Sequence, residues 1–317
     1  MSVARFNPTE YFTAEDIAAV RARSDRTGLL CVFHAWAVIG AAMAVYAVWP
    51  NPLTFLAAVL VIGSRQLGLA ILMHDAAHGV LVRSKWLNDP LSQIFCAWPV
   101  FTDTIPYRHY HLVHHRVTQQ PDDPDLHLSA KFPITRKSYS RKFLRDITGQ
   151  TGFKLRRAQL RNALGKPGEG FTQRFATFRK RMGKMVLANL VLLALMTAFG
   201  KPHYYLMFWL LPLLTWQQVV TRIRNIAEHA MVPDNDDPMK SARTTYAKWW
   251  ERALFAPYWV NYHVDHHLLF YVPCYNLPAL HALLLEKGLG PKMEIQKDYA
   301  DVLRLATSRP ETMPQAA

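Results

Sequence analysis

Cysteine is scarce in this chain. Cys31, Cys96 and Cys274 stand far apart and form no C-x-x-C pair, which argues against both a disulfide framework and a thiolate metal site. There is no repeat of fixed period, no low-complexity tract and no Gly/Ser linker, so one domain spanning residues 1–317 is expected. The stretch before Leu29 lacks a basic start leading into a short apolar core with a small-residue cleavage site, so no secretory signal is read there. Acidic residues are also short, 23 against 37 Lys and Arg.

Apolar residues are abundant. They make up 50% of the chain and fall in blocks long enough to cross the ~30 Å hydrocarbon core of a bilayer. Four spans are expected at about 29–49, 52–73, 185–199 and 203–220. Minimal connections at Pro50-Asn51 and Gly200-Lys201-Pro202 would fold them into two hairpins. Residues 74–184 and 221–317 then share one side of the membrane. Between Lys131 and Lys184 there are sixteen Lys or Arg against Asp146 and Glu169, and this bias places both segments in the cytoplasm. The fold expected is therefore all-α and integral to the membrane, with a cytoplasmic helical cap over four transmembrane helices. The basic face reads first as a lipid-headgroup surface and second as a dock for an acidic redox partner. Nucleic-acid binding is not expected. The apolar stretch Leu91 to Phe101 is too short to cross and fits an interfacial or re-entrant helix.

Histidine carries the chemical signal. Of 14 histidines, nine cluster in His74-Asp75-Ala76-Ala77-His78, His111-Leu112-Val113-His114-His115, Glu228-His229 and His263-Val264-Asp265-His266-His267. A given histidine begins an H-x-x-H-H by chance with probability on the order of 0.002, yet the pattern occurs twice. On helices, residues three and four apart share a face, so each cluster can present its imidazoles together and three segments can surround one site. Asn225 presents an amide one turn before His229. Nine imidazoles exceed what one zinc takes; they suit two metals of the Fe, Cu, Zn or Ni type. Because ligand histidines give their second ring N–H to a carboxylate or carbonyl, Asp75, Glu228 and Asp265 are the acids expected behind them. The run Asp122, Asp123 and Asp125 is read first as a polar turn and second as contacting Arg108, Arg116 or the histidines. His34, His203, His109, His127 and His281 are read as structural. Arg65 and Gln66, at membrane depth, are expected either to line a substrate tunnel or to hold helices together. Trp249-Trp250 and Tyr258-Trp259 are read as an interfacial aromatic belt.

With these motifs in place, the chain from about Leu29 to Leu285 resembles the membrane fatty acid desaturase superfamily, which has three histidine boxes around two transmembrane hairpins. By that resemblance the boxes are His74 and His78; His111, His114 and His115; and His263, His266 and His267. Asn225 with His229 matches an N-x-x-x-H element after the last span. The resemblance implies two iron ions held by these residues, dioxygen as co-substrate, and a lipid acyl substrate. It also implies a separate electron donor, ferredoxin, rubredoxin or cytochrome b5, because no fused H-P-G-G haem element is present. A bacterial inner-membrane enzyme with a cytoplasmic active site is expected. Asn261-Tyr262-His263 and the following Val272-Pro273 favour an acyl-lipid desaturase, although Asp265 stands where Glu is common. The alternative is a carotenoid or sphingolipid ketolase or hydroxylase, which shares His74-Asp75-Ala76-Ala77-His78-Gly79 and Asp122-Asp123-Pro124-Asp125.

Overall fold

The computed structural model describes residues 6–311 and is predominantly helical. The ends of the expected domain, residues 1–5 and 312–317, lie outside the described residues. After α1 (Ala14–Val20), the chain forms α2 (Asp25–Val48) and α3 (Pro52–Ala77), a tight antiparallel pair. The turn between them is written into its residues. Asn51 Oδ1 accepts from the backbone N–H of Leu53 and Thr54 at 3.0 and 3.1 Å, while Pro52 occupies the first helical position, where no donor is lost.

Helix α3 is the centre of the molecule: 67% of its most apolar stretch is buried, against 22% for the N-terminal candidate span and 17% for the third. That third span is α9 (Phe171–Ala198), reached through α4 (Lys85–Ser92), α5 (Thr104–Arg116), α6 (Leu126–Ser129), α7 (Arg136–Ile147) and α8 (Gln150–Ala163). Helix α9 begins well before the expected span at 185; its first half carries Arg174, Arg179, Lys180, Arg181 and Lys184 and projects beyond the apolar stretch. The segment 91–101 stays short, as a π-helical turn Gln93–Ala97 and a 3-10 turn Trp98–Val100 packed on α3 and α9.

Among the described residues, three helices are long and apolar enough to span a membrane. The fourth apolar segment, expected as one helix over 203–220, is broken. It runs as a π-helical piece Tyr205–Leu210, then α10 (Leu211–Leu214), then a break at Thr215 with φ −114° and ψ −90°, then α11 (Trp216–His229). Pro212 lacks an N–H and disfavours a continuous helix, and Thr215 Oγ1 bonds back to Leu211 O at 2.6 Å. The backbone of α8 lies against the break: a Cβ on Gly152 would stand 2.4 Å from Leu214 O.

The C-terminal part packs against α3 and α11. It comprises β1 (Thr244–Thr245), α12 (Trp249–Leu254), α13 (His263–Leu268), α14 (Leu277–Glu286), β2 (Ile295–Gln296) and α15 (Tyr299–Ala306). The strands pair in parallel, Thr244 with Ile295 and Thr245 with Gln296. Arg65 and Gln66 tie helices together: Arg65 Nη2 donates to Ala253 O at 2.5 Å and Gln66 Nε2 to Trp209 O at 2.8 Å.

Candidate metal centre

Four elements deliver the histidines. His74 sits in the last turn of α3 and His78 is its C-cap; His111, His114 and His115 line α5; His229 ends α11; and His263, His266 and His267 form most of α13. All nine meet in one place, but they face two ways. His74, His78, His111, His115 and His266 form one group; His114, His229 and His267 form a second, joined through His229 by Glu228 and His263. Ligand atoms lie within 4.8 Å of one another inside the five-histidine group, inside the trio His114, His229 and His267, and inside the trio Glu228, His229 and His263; the trios share His229, and His263 also meets His267 at 3.1 Å.

Each H-x-x-H-H box is therefore divided between two groups, not presented on a single face. Positions four apart stay together and the middle position turns away, because a helix advances 100° per residue. His111 and His115 remain paired, with their Nε2 atoms 3.0 Å apart, while His114 crosses to the second group. On α13 His263 and His267 stay together at 3.1 Å, and His266 leaves for His115, also at 3.1 Å. The groups adjoin: the rings of His115 and His267 stack with centroids 4.3 Å apart.

A metal in each group fits the polar atoms found there. His74 Nε2, both ring nitrogens of His78 and Nδ1 of His111 are buried without a hydrogen-bond partner. His263 Nε2 and His229 Nε2 face each other at 2.8 Å. Buried ring nitrogens left unpaired and converging on one another are costly unless a cation sits among them. Burial first, then neighbouring charges, pushes the His78 imidazole down to about 3. The same causes hold His115, His266 and His267 well below the usual histidine range. Burial thus favours the neutral form of these four imidazoles, the form that ligation requires.

The supporting contacts are only partly the expected ones. Asp123 Oδ1 accepts from His114 Nδ1 at 2.8 Å, and the same carboxylate receives the backbone N–H groups of Gln119 and Asp125 at 2.7 and 2.8 Å. Its loop is therefore a histidine support as well as a turn. His229 Nδ1 approaches Ser241 O at 3.4 Å. Asp75 lies 3.6 Å from His74 Nδ1 and accepts from the Cys274 backbone N–H at 2.6 Å. Glu228 stands 3.5 Å from His263 Nε2, close enough to be a direct donor; burial pushes its carboxyl up to about 7, opposed by Arg224, which donates to it at 2.5 Å.

Asp265 faces away from the ligand rings. It accepts from Thr244 Oγ1 at 2.5 Å and pairs with His281 Nδ1 at 2.7 Å, so it fixes α13 from behind. Asn225 is half-buried on α11, and its amide makes no hydrogen bond among the described residues. Arg108, expected as a contact of the acidic run, has other partners. It does not reach the Asp122–Asp125 run; it pairs with Asp89 at 2.5 Å and donates to the carbonyls of Ala76 and Ala77 at 2.9 and 2.7 Å, clamping the end of α3 that carries His74 and His78. Its position three residues before His111 is the one signal that it lay nearby. A cavity of about 280 Å³ opens beside His115 and His267 and is lined also by Arg116, Thr118, Ser241 and Phe270.

The comparisons with known proteins agree in kind. The family model described as "Fatty acid desaturase" matches residues 48–295, a range that includes every histidine of both groups. A curated relative, "Dihydrorhizobitoxine desaturase" of Bradyrhizobium elkanii, is 29% identical over 252 residues, covering 72% of this chain and 66% of the relative. The match thus spans just under two thirds of that relative's length.

Proposed function

The chain belongs to the fatty acid desaturase family, and from that premise we propose that it is an O2-dependent di-iron oxidoreductase that introduces a double bond into a lipid acyl chain. The observation that carries this reading is a five-histidine group adjoining two three-residue sets that share His229 and together bring His114, His229, His263 and His267 into contact. His74, His78, His111, His115 and His266 would hold one iron; His114, His229, His263 and His267 the other, with Glu228 or Asn225 within the same neighbourhood. Imidazole-rich sites of this kind suit iron. Two bound irons would supply the activation of dioxygen.

The balance of the reaction defines what the protein must provide. Two hydrogens leave adjacent methylenes, two electrons and two protons arrive from outside, and O2 leaves as two waters. The two electrons require a separate donor, a ferredoxin, rubredoxin or cytochrome b5, for which the basic face is a suitable dock. Asp123 on His114 and Ser241 O on His229 fix tautomer and ring direction. Burial of most of the imidazoles limits bulk water at the centre to the cavity beside His115 and His267. The relative's name, a desaturase, supports desaturation over oxygen insertion. Charge asymmetry supports four crossings, the last in broken pieces, in a bacterial inner membrane with the histidines on the cytoplasmic side.

Expression in a bacterial host with a ferredoxin system, with lipid extracts analysed by mass spectrometry against a His266→Ala control, tests the reading. Acyl chains lighter by two mass units, absent from the control, are expected. Gain of an oxygen atom instead would assign a ketolase or hydroxylase.

A further inference from the structure

A second cavity, of about 760 Å³, lies between α2, α3 and α12, and none of the nine ligand histidines lines it. Its walls are mostly apolar, with Leu30, Val38 and Val61 among them, yet it contains two arginines and no aspartate or glutamate. Arg65 is only 7% exposed. One of its nitrogens is committed to Ala253 O at 2.5 Å and its guanidinium also hydrogen-bonds Tyr258, 5.8 Å from that ring's centroid, but no carboxylate pairs with it among the described residues. A buried cation without a counter-ion is costly, more so at membrane depth. Arg252, exposed at the mouth, also has no acidic partner among the described residues.

The level of the cavity fits a membrane surface. Helix α12, whose carbonyl Arg65 holds, carries Lys248 at its N-cap and Arg252 in its last turn. Trp249 beside them is 77% exposed. This is the composition of an interfacial helix, so the guanidinium of Arg65 reaches headgroup level while the walls below face acyl chains. Polar groups already inside are fixed: Tyr258 Oη donates to Cys31 O at 3.1 Å, so the 3.1 Å contact with His34 has His34 Nδ1 donating to Tyr258. The remaining N–H groups of Arg65, beyond those given to Ala253 O and Tyr258, and the exposed guanidinium of Arg252 are the donors left to bind.

We propose that this cavity binds the headgroup phosphate of an anionic membrane phospholipid, with Arg65 and Arg252 supplying the positive charge and Leu30, Val38 and Val61 the wall for one acyl chain. The site goes beyond the proposed activity and is separate from the histidine groups. It touches them through the chain: Tyr258 and Trp259, both at positive φ of 54° and 57°, line the cavity and precede His263, so an occupant would brace the segment leading into α13.

The test uses the full, metal-loaded chain in detergent, measuring dissociation constants for dioleoylphosphatidylglycerol, dioleoylphosphatidylcholine and oleate in mixed micelles. Arg65→Gln, Arg252→Gln and, as a charge-matched control on the exposed basic surface, Arg141→Gln are compared. Phosphatidylglycerol should bind tighter than phosphatidylcholine, and Arg65→Gln and Arg252→Gln should each weaken it about tenfold, the loss of one charge-assisted hydrogen bond, while Arg141→Gln leaves it unchanged. If Arg65→Gln does not fold, Arg252→Gln carries the comparison. Equal binding of the two phospholipids, or equal loss in Arg141→Gln, would overturn the site in favour of diffuse attraction. Oleate binding as tightly with the same arginine dependence would overturn the phospholipid assignment in favour of a free carboxylate.

Discussion

The carboxylate of Asp123 receives the Nδ1–H of His114 at 2.8 Å and is itself held by two backbone N–H groups of its own loop, those of Gln119 and Asp125. This bond points Nε2 of His114 toward His229 and His267, so the loop after α5 sets one ligand of the second histidine group.

Asp123→Ala should therefore weaken metal binding at the second group by about 10- to 100-fold, the usual cost of removing a carboxylate behind a ligand histidine. Metal content after dialysis against a graded chelator series reads the change. Retention of wild-type affinity would show that His114 needs no such support.

The division of each box between two groups has a stoichiometric consequence. His78→Ala removes a ligand from the five-histidine group alone, and His263→Ala one from the other. Under the proposed two-metal reading, each variant should keep close to one bound metal against two expected in the wild type, as measured by elemental analysis of purified protein. Complete loss of metal in both would mean that the groups form a single cooperative site.

Arg108 closes the C-terminal end of α3 through two carbonyls and Asp89. Replacing it by methionine keeps part of the packing but takes the side-chain donor from Ala77 O and the charge partner from Asp89, while Asn88 still bonds Ala76 O and Asp89. A loss of about 1–3 kcal/mol is expected, visible as a lower denaturation midpoint in detergent, with a smaller loss in Asp89→Asn.

Metal-free protein should lose stability in acid as the buried histidines of the fold meet protons that the unfolded chain takes up. His115, His266 and His267 are held well below the usual range by burial, so the unfolded chain takes up protons that the fold refuses. Their contribution is fully present above about pH 6.5, the ordinary histidine value, and falls as pH drops toward the folded values. Thermal scans of apo-protein between pH 8 and 5 should show a falling midpoint, and a flat profile would contradict the burial of neutral imidazoles.

Much of this was legible in the residues. The nine ligand candidates were readable because H-x-x-H-H is improbable by chance, and the α2–α3 hairpin because Pro50-Asn51-Pro52 can only end one helix and start another. The fourth span was misread as continuous because apolar composition does not report a break; Pro212 and Thr215 marked the place, but the packing of Gly152 on Leu214 lies far away in sequence. Asp265 was expected behind a ligand because it neighbours His266, yet its partners, Thr244 and His281, are elsewhere in the chain.

By itself the sequence determined where the imidazoles cluster, that the chain is helical and apolar in blocks, and that basic charge accumulates between Lys131 and Lys184. These properties are local, set by residue type and spacing along a helix. Only the tertiary structure decided how the imidazoles are shared between two groups, which carboxylate supports which ring, and that Arg65 stands without a counter-ion. Those depend on the relative rotation of α3, α5, α11 and α13, and helix rotation follows from packing between segments distant in the chain.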